Sequence, residues 1–376
     1  MNTIKDYCNL LNGYSFKSDK YVDKGIRVVR ITNVQKGEFV DADPKYYPLS
    51  EEKEIQDYLL QENDLLISLT GNVGRVCKIS KDYLPAGLNQ RVACLRIKNK
   101  KLLKDYLYFY LMRNQFENDC INNSKGIAQL NLSTIWLENY PINVPSLEKQ
   151  EVIVKSLSKI SKNIADLKES LESLNELTKS RFIEMFGNPL TNDKNWNRDE
   201  LQNLVVPDCT ISYGIVQTGD DVENGVPVFR PIDIVNNIPN RETLKKTSAE
   251  ISNRYKKTIL KGRELLITVR ANIADVFVTN EEFEGCNVGR GITPIRTNEN
   301  IINLDFLKLQ IENEDMNSYI KSLANGIALI QLNMSDLRKI KFIIPPIEKQ
   351  IEYVDFTKQI DKLKFTKNEQ HLHCPS

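Results

Sequence analysis

Asn89-Gln90-Arg91 places two amides and a guanidinium on consecutive residues, the side chains whose paired donors and acceptors match the edges of adenine and guanine. Asn287 to Arg290 occupies the corresponding stretch about two hundred residues later. Thr70-Gly71-Asn72-Val73-Gly74-Arg75 gathers two glycines, an amide and a guanidinium in one turn, where exposed backbone N–H groups and Arg75 suit a phosphate or a base edge. An ordinary hairpin turn accounts for the same residues. The counterpart Arg270-Ala271-Asn272-Ile273 keeps the amide and carries its arginine earlier. Further hydrogen-bonding groups open each copy, at Ser15 to Lys20 with Lys17 and Ser18, and at Tyr213 to Thr218 with Gln217. Lys125 and Asn325 each precede a shared Gly-Ile-Ala. Arg30 and Arg230 occur in both copies, and suit a structural ion pair or a phosphate contact as well as a specificity contact.

Other chemistry lacks its residues. The only histidines are His371 and His373, so no Ser-His or Cys-His nucleophile and no histidine-based metal site can be built before the tail. The tail's His-Leu-His-Cys run is read as a frayed terminus rather than a metal site. No Gly-x-x-x-x-Gly-Lys-Ser/Thr phosphate cradle is found, and neither is an Asn/Asp-Pro-Pro-Tyr/Phe methyltransferase sequence. A nuclease centre of scattered Asp, Glu and Lys stays as a minor alternative. Seven cysteines, scattered and never in a Cys-x-x-Cys pair, argue against a disulfide framework and a zinc site; most are expected in the core. The site expectation is therefore for polar reading residues, with no catalytic and no metal residue.

The elements that must position these residues come as two copies at an offset near two hundred. Val22, Gly25, Val28 and Arg30 recur as Val222, Gly225, Val228 and Arg230, and Leu65, Leu66, Ile67 and Asn72 as Leu265, Leu266, Ile267 and Asn272. Arg96, Asp105, Leu107 and Gly126-Ile127-Ala128 recur as Arg296, Asp305, Leu307 and Gly326-Ile327-Ala328. Such a period exceeds a solenoid repeat of about 20 to 50 residues, so it marks a duplicated domain with its connector. Gly37 to Gln61 and Asn237 to Lys261 are almost unrelated, as expected of one scaffold reading two ligands, or of drifting surface loops.

Short β-rich runs open each copy: Ile26 to Val34, Asp64 to Leu69 and Val92 to Ile97, then Val226 to Ile234, Glu264 to Val269 and Ile292 to Arg296. Tyr106 to Phe116 and Phe306 to Tyr319 read as helices, with closing strands at Tyr140 to Val144 and Lys341 to Ile344. Ser146 is a plausible N-cap for the connector, where Ile153, Leu157, Ile160, Ile164, Leu167, Leu171 and Leu174 step by four and three until Gly187-Asn188-Pro189. A helix from Leu147 to Phe186 would span about 60 Å. Its partner is the shorter stretch from Pro346 to about Gln370, with Ile347, Ile351, Val354, Ile360 and Leu363. The fold class expected is α+β: two duplicated mixed-sheet domains separated by two long antiparallel coiled-coil helices.

The composition is that of an ordinary globular chain, with 376 residues, 41% hydrophobic and 27% charged. No apolar run reaches the roughly 18 residues of a membrane span, and no signal-peptide core follows Met1, so a cytoplasmic chain without a membrane partner is expected. Net charge is only +1, which counts against strong non-specific DNA binding but leaves room for a basic face.

The opening Asn12 to Tyr21, the domain ends Val144-Pro145-Ser146-Leu147-Glu148-Lys149-Gln150 and Ile344-Pro345-Pro346-Ile347-Glu348-Lys349-Gln350, and Gly187-Asn188-Pro189 carry a resemblance. Together with the duplication, they make the chain resemble the specificity subunit of type I restriction-modification systems. The resemblance implies target-recognition domains at 1–145 and 188–345, a central spacer helix at 146–187, and a C-terminal spacer helix with tail at 346–376. It also implies double-stranded DNA as ligand, methyltransferase subunits that bring S-adenosylmethionine, and a motor-nuclease restriction subunit that brings ATP and magnesium. No cofactor is expected on this chain. The final helix-like stretch departs from the pattern by being shorter than the central one. The rival readings are a non-DNA two-domain coiled-coil adaptor and a self-contained nuclease or methyltransferase.

Overall fold

Leu65–Ser68 and Leu265–Thr268, each four buried residues, are central strands of corresponding sheets. A strand buried on both faces reads as a continuous apolar run rather than an alternation. The computed structural model describes residues 2–126, 129–235, 239–326 and 330–372. The shared Ile127-Ala128 and Ile327-Ala328, and the tail from His373 to Ser376, lie outside the described residues. Contacts divide the chain into two units, Met1–Asp166 and Leu167–Ser376.

In the first unit, Cys8–Asn12, Val92–Ile97, Leu65–Ser68 and Val76–Lys78 form an antiparallel sheet in that order. A smaller sheet orders Tyr46–Tyr47, Ile26–Val29 and Ala86–Leu88, the last pair parallel. The second unit repeats the smaller sheet and three strands of the larger, with Val276–Val278, Leu265–Thr268 and Ile292–Ile295 in one sheet and Lys245–Thr247, Val226–Phe229 and Asn287–Val288 in the other. Each copy is a mixed α+β unit.

Local chemistry moved several predicted boundaries. The expected single helices each break in two, into Lys104–Leu111 and Asn114–Asn122, and into Leu304–Glu312 and Glu314–Ser322. In the second unit the Asn313 side chain accepts from Asp315 N at 3.2 Å and Met316 N at 3.3 Å, the cap that an asparagine makes in preference to continuing a helix. The strand expected through Ile234 ends at Phe229 and gives way to the helix Pro231–Val235. Pro231 is pre-set for a first helical turn, and Arg230 N donates to the Asp233 carboxylate at 2.8 Å. Lys341–Ile344 pairs with Asn197–Glu200, whereas Tyr140 to Val144 makes only an isolated bridge, between Pro141 and Thr3. The bridge is carried by two hydrogen bonds, Ile4 N on Tyr140 O at 3.1 Å and Ile142 N on Asn2 O at 2.9 Å.

The central helix runs Leu147–Phe186 and the C-terminal one Ile347–Leu372. Within the second unit they run antiparallel: Phe182 meets Tyr353, with ring centroids 5.4 Å apart, while Glu172 and Asn175 share a groove with Asp361 and Lys364. Tyr353 also donates its hydroxyl to Thr178 O at 3.0 Å. Leu167, Leu171 and Leu174 are half-buried, but Ile153, Ile160 and Ile164 stand exposed. The predicted seam is thus covered along only part of its length, because 26 residues cannot face 40.

The repeated Glu-Lys-Gln has a definite task. Gln150 is fully buried, accepts from Leu103 N at 2.9 Å and donates to Lys101 O and Pro145 O at 2.8 Å. Gln350 does the same with Asn303 N, Ile301 O and Pro345 O. One amide satisfies three backbone groups and ties the start of a long helix to the globule before it.

Candidate nucleic-acid interface

The Asn89-Gln90-Arg91 segment turns the chain between Ala86–Leu88 and Val92–Ile97. Asn89 N donates to Val29 O at 3.2 Å, Gln90 N to Tyr14 O at 3.0 Å and Val92 N to Asn89 O at 2.9 Å. In the second unit Gly289 N donates to Phe229 O at 2.8 Å, Arg290 N to Ile215 O at 2.8 Å and Ile292 N to Gly289 O at 3.0 Å. The same turn is therefore built twice, and it presents Gln90 in one unit and Arg290 in the other. Both side chains are exposed. Arg91 is exposed as well, while half-buried Asn89 accepts from Arg91 N at 3.2 Å.

The openings of the copies lie beside these turns through the bridges of Tyr14 with Asn89 and Ile215 with Gly289. The approach is so close that a Cβ on Gly13 would strike the Asn89 backbone, and one on Gly214 the Val288 backbone. Lys17 and Ser18 are exposed where the 3-10 turn Ser18–Lys20 begins. Gln217 is exposed and Tyr213 half-buried.

The second pair of turns is held by Ser68 Oγ on Asn72 O and Thr268 Oγ1 on Asn272 O. Both place two residues in the left-handed region, Gly71 and Gly74 at φ 73° and 79°, Ala271 and Ala274 at 61° and 66°. Asn72 and Asn272 are exposed at the tips. Arg75 donates to Gln35 and lies 3.3 Å from the Asn72 amide oxygen; the position corresponding to Arg75 is Asp275. Arg270 donates to Gln331, which in turn donates to the Tyr213 hydroxyl at 2.6 Å. The second unit thereby joins two residues singled out in the sequence through a third that was not. Gln331 had one available signal: position 131, at the same offset, is also an amide, Asn131, held by Thr70 at 2.9 Å. Lys125 and Asn325 are exposed and form isolated bridges with Asn131 and Gln331.

One expectation needs correction, and the open choice at two arginines is narrowed. Asn287 is not a surface group: it is fully buried, accepts from Thr258 Oγ1 at 2.7 Å and donates to Ser252 Oγ at 3.0 Å. An asparagine spaced like a reading residue has instead become the polar fastening of a parallel strand pair, a place where an amide must find internal partners. Arg30 donates to the backbone and carboxylate of Asp43, and Arg230 makes a two-pronged pair with Asp233 at 2.9 and 3.1 Å. Both guanidiniums make the ion pair that was one of the readings of the sequence, and Arg230 stays 44% exposed.

The six described cysteines are buried and free, and burial pushes the thiols of Cys8, Cys77 and Cys120 up to about 12, leaving them unreactive. No group of three or more His, Cys, Asp or Glu suited to a metal occurs among the described residues, and no helix there is long and apolar enough to cross a membrane.

A duplicated scaffold whose equivalent turns offer different exposed polar side chains defines a two-module recognition protein. The chain belongs to the type I restriction modification DNA specificity domain family, whose profile matches residues 1–179 and 214–372, and DNA sequence specificity is its function class. It is 24% identical over 384 residues to the specificity subunit of the type I restriction enzyme EcoBI from Escherichia coli, spanning 95% of this chain and 78% of that protein. In fold it is similar to the S subunit of the type I restriction-modification system of M. genitalium, with a TM-score of 0.60 and 13% identity over 98% of this chain and 91% of that one. A solved chain from work on complex assembly of the type I R-M system matches with a TM-score of 0.56 and 15% identity, over 99% and 93% of the two chains.

Proposed function

We propose that each unit reads one half of a bipartite DNA target and that the long helices set the number of unread bases between the halves. The observation that carries this reading is the replacement of Gln90 by Arg290 in one and the same hydrogen-bonded turn. Glutamine forks onto adenine and arginine onto guanine in the major groove, so equal scaffolds carry unequal base preferences. A central helix of about 60 Å is long enough to bridge half-sites one DNA turn, about 34 to 36 Å, apart. The methyl transfer belongs to methyltransferase subunits that bring S-adenosylmethionine, and cleavage to a motor-nuclease subunit that brings ATP and magnesium. This chain supplies sequence choice and no catalytic group.

The test is methylome sequencing of cells with and without this gene. The expected result is an asymmetric, interrupted motif methylated only when the gene is present. A contiguous or fully palindromic motif would overturn the two-domain reading. Inserting four residues near Leu167 adds about 6 Å while keeping the seam within about 40° of register, and should lengthen the unread gap without altering either half-site.

A further inference from the structure

The 3-10 turns Gln56–Tyr58 and Lys256–Thr258 occupy equivalent places, since Leu60 N donates to Ala86 O and Leu260 N to Cys286 O, both at 2.8 Å. Their electrostatics are opposite. Residues 51–58 contain Glu51, Glu52, Glu54 and Asp57 against Lys53 alone, whereas 251–258 contain Arg254, Lys256 and Lys257 and no acid. The difference of sign falls within a second unit that has slightly more acidic than basic residues over 191–345, 21 against 19, so it is a local concentration and not a general basic character.

Access differs in the same sense. In the first unit the Tyr14 hydroxyl donates to Glu54, Tyr14 packs on Tyr58 at 5.3 Å, and Lys20 binds Glu51 at 2.9 Å, so the place is filled and stays acidic, with a cation among the described residues paired to Glu51 alone of its carboxylates. In the second unit Ser212, Tyr213, Arg254, Lys256, Lys257 and Thr258 line a cavity of about 270 Å³. Lys256 and Lys257 are exposed, and neither ammonium has a hydrogen bond or ion pair among the described residues. Arg254 has only the loose, solvent-exposed pair with Glu250 at 3.4 Å, a contact of little energetic weight. Tyr213 forms one wall of this cavity and also receives the hydrogen bond of Gln331, itself bound to Arg270. The cavity thus adjoins the polar network of the candidate interface.

We infer that the cavity between Tyr213 and Lys256-Lys257 seats a backbone phosphate of the DNA, anchoring the second unit by a contact that the first unit does not make. The inference rests on the DNA reading given above and extends it: unit two is electrostatically anchored, whereas the equivalent acidic place in unit one repels phosphate. Free ammonium groups without base-edge geometry hold a phosphate as point charges and carry no sequence information.

The experiment uses the full chain assembled with its methyltransferase subunits, and duplexes carrying either the methylated motif or a scrambled one. Binding of the wild type and of Lys256→Gln/Lys257→Gln is measured across a salt series. The double variant should bind both duplexes more weakly by a similar factor and lower the slope of log K against log salt by about one. Lys256→Arg/Lys257→Arg should restore the slope, which a merely structural loss would not. An unchanged slope overturns the anchor, as does a loss confined to the motif duplex, which would make these lysines base readers. Weakened subunit assembly with an unchanged slope would assign the cavity to an acidic protein surface instead. If the wild-type complex itself shows no preference for the motif, the DNA reading fails rather than the anchor.

Discussion

Asp64 with Arg96 and Glu264 with Arg296 hold corresponding places in the two units, and Gln90 and Arg290 hold corresponding turns. The first pair of sites is kept in kind: a nearly or fully buried carboxylate receives an arginine, at 2.7 Å in one unit and in direct contact in the other. The second is changed in kind, from a neutral amide to a cation. The difference separates what the scaffold demands from what it leaves free. A charge without solvent has to be paired, so while the arginine stays the interior position keeps a carboxylate beside it; an exposed turn needs only its backbone bonds, which are indifferent to the side chain.

Breaking the interior first should give the largest effect. Glu264→Ala leaves the Arg296 guanidinium, 15% exposed, with only the exposed Asp208 carboxylate at 3.2 Å, and should destabilise the second unit by about 3 to 5 kcal/mol. Asp64→Ala should cost less, because Arg96 is 26% exposed and regains more hydration. Urea unfolding of the two variants measures both, and equal losses would sink the ranking by burial.

Gln150→Ala and Gln350→Ala should each cost about 3 kcal/mol, since each strands one backbone N–H and two carbonyls, some of which recover water. The two should agree closely. A loss at Gln350 alone would mean that the first unit fastens its helix by other contacts, and the likeness of the two helix entries would then be one of sequence only.

The turns that carry Gln90 and Arg290 should respond in the opposite manner, with function changing while stability does not. Gln90→Ala should relax base choice in one half-site and Arg290→Ala in the other, each by about 1 to 3 kcal/mol of discrimination, read from methylated motifs. A uniform loss over all sequences would reassign the residue concerned to phosphate contact.

Smaller effects are expected at the left-handed turns. Gly74→Ala introduces a Cβ 2.7 Å from Cys120 Cβ at φ 79° and should cost about 2 kcal/mol, whereas Ala274→Gly, which relieves a strained φ of 66°, should stabilise by about 1 kcal/mol. Thermal midpoints moving in opposite directions are the expected readout. Because both copies retain this turn despite its cost, and asparagine stands at each tip, Ala271→Gly and Ala274→Gly also show whether DNA binding depends on a stiff loop.

Much of this architecture is set by sequence alone. The offset of two hundred follows from recurring residues, the strands at Leu65 and Leu265 from short apolar runs, and the helix Leu147–Phe186 from apolar periodicity and the lack of any glycine or proline within it, which are properties that survive in a linear reading. The tertiary structure decided which polar residues are available. Asn287 and Arg290 lie three residues apart and have equal standing as letters, yet the parallel pairing with Val226–Phe229 buries the first and the turn after it exposes the second. Arg30 and Arg230 found Asp43 and Asp233, and Gln331 was joined to Arg270 across 61 residues of chain and to Tyr213 across 118. Hydrogen-bond partners are chosen by proximity in space, which no spacing rule encodes. A duplicated fold could therefore be read from the chain, whereas which polar side chains remain exposed had to be read from its packing.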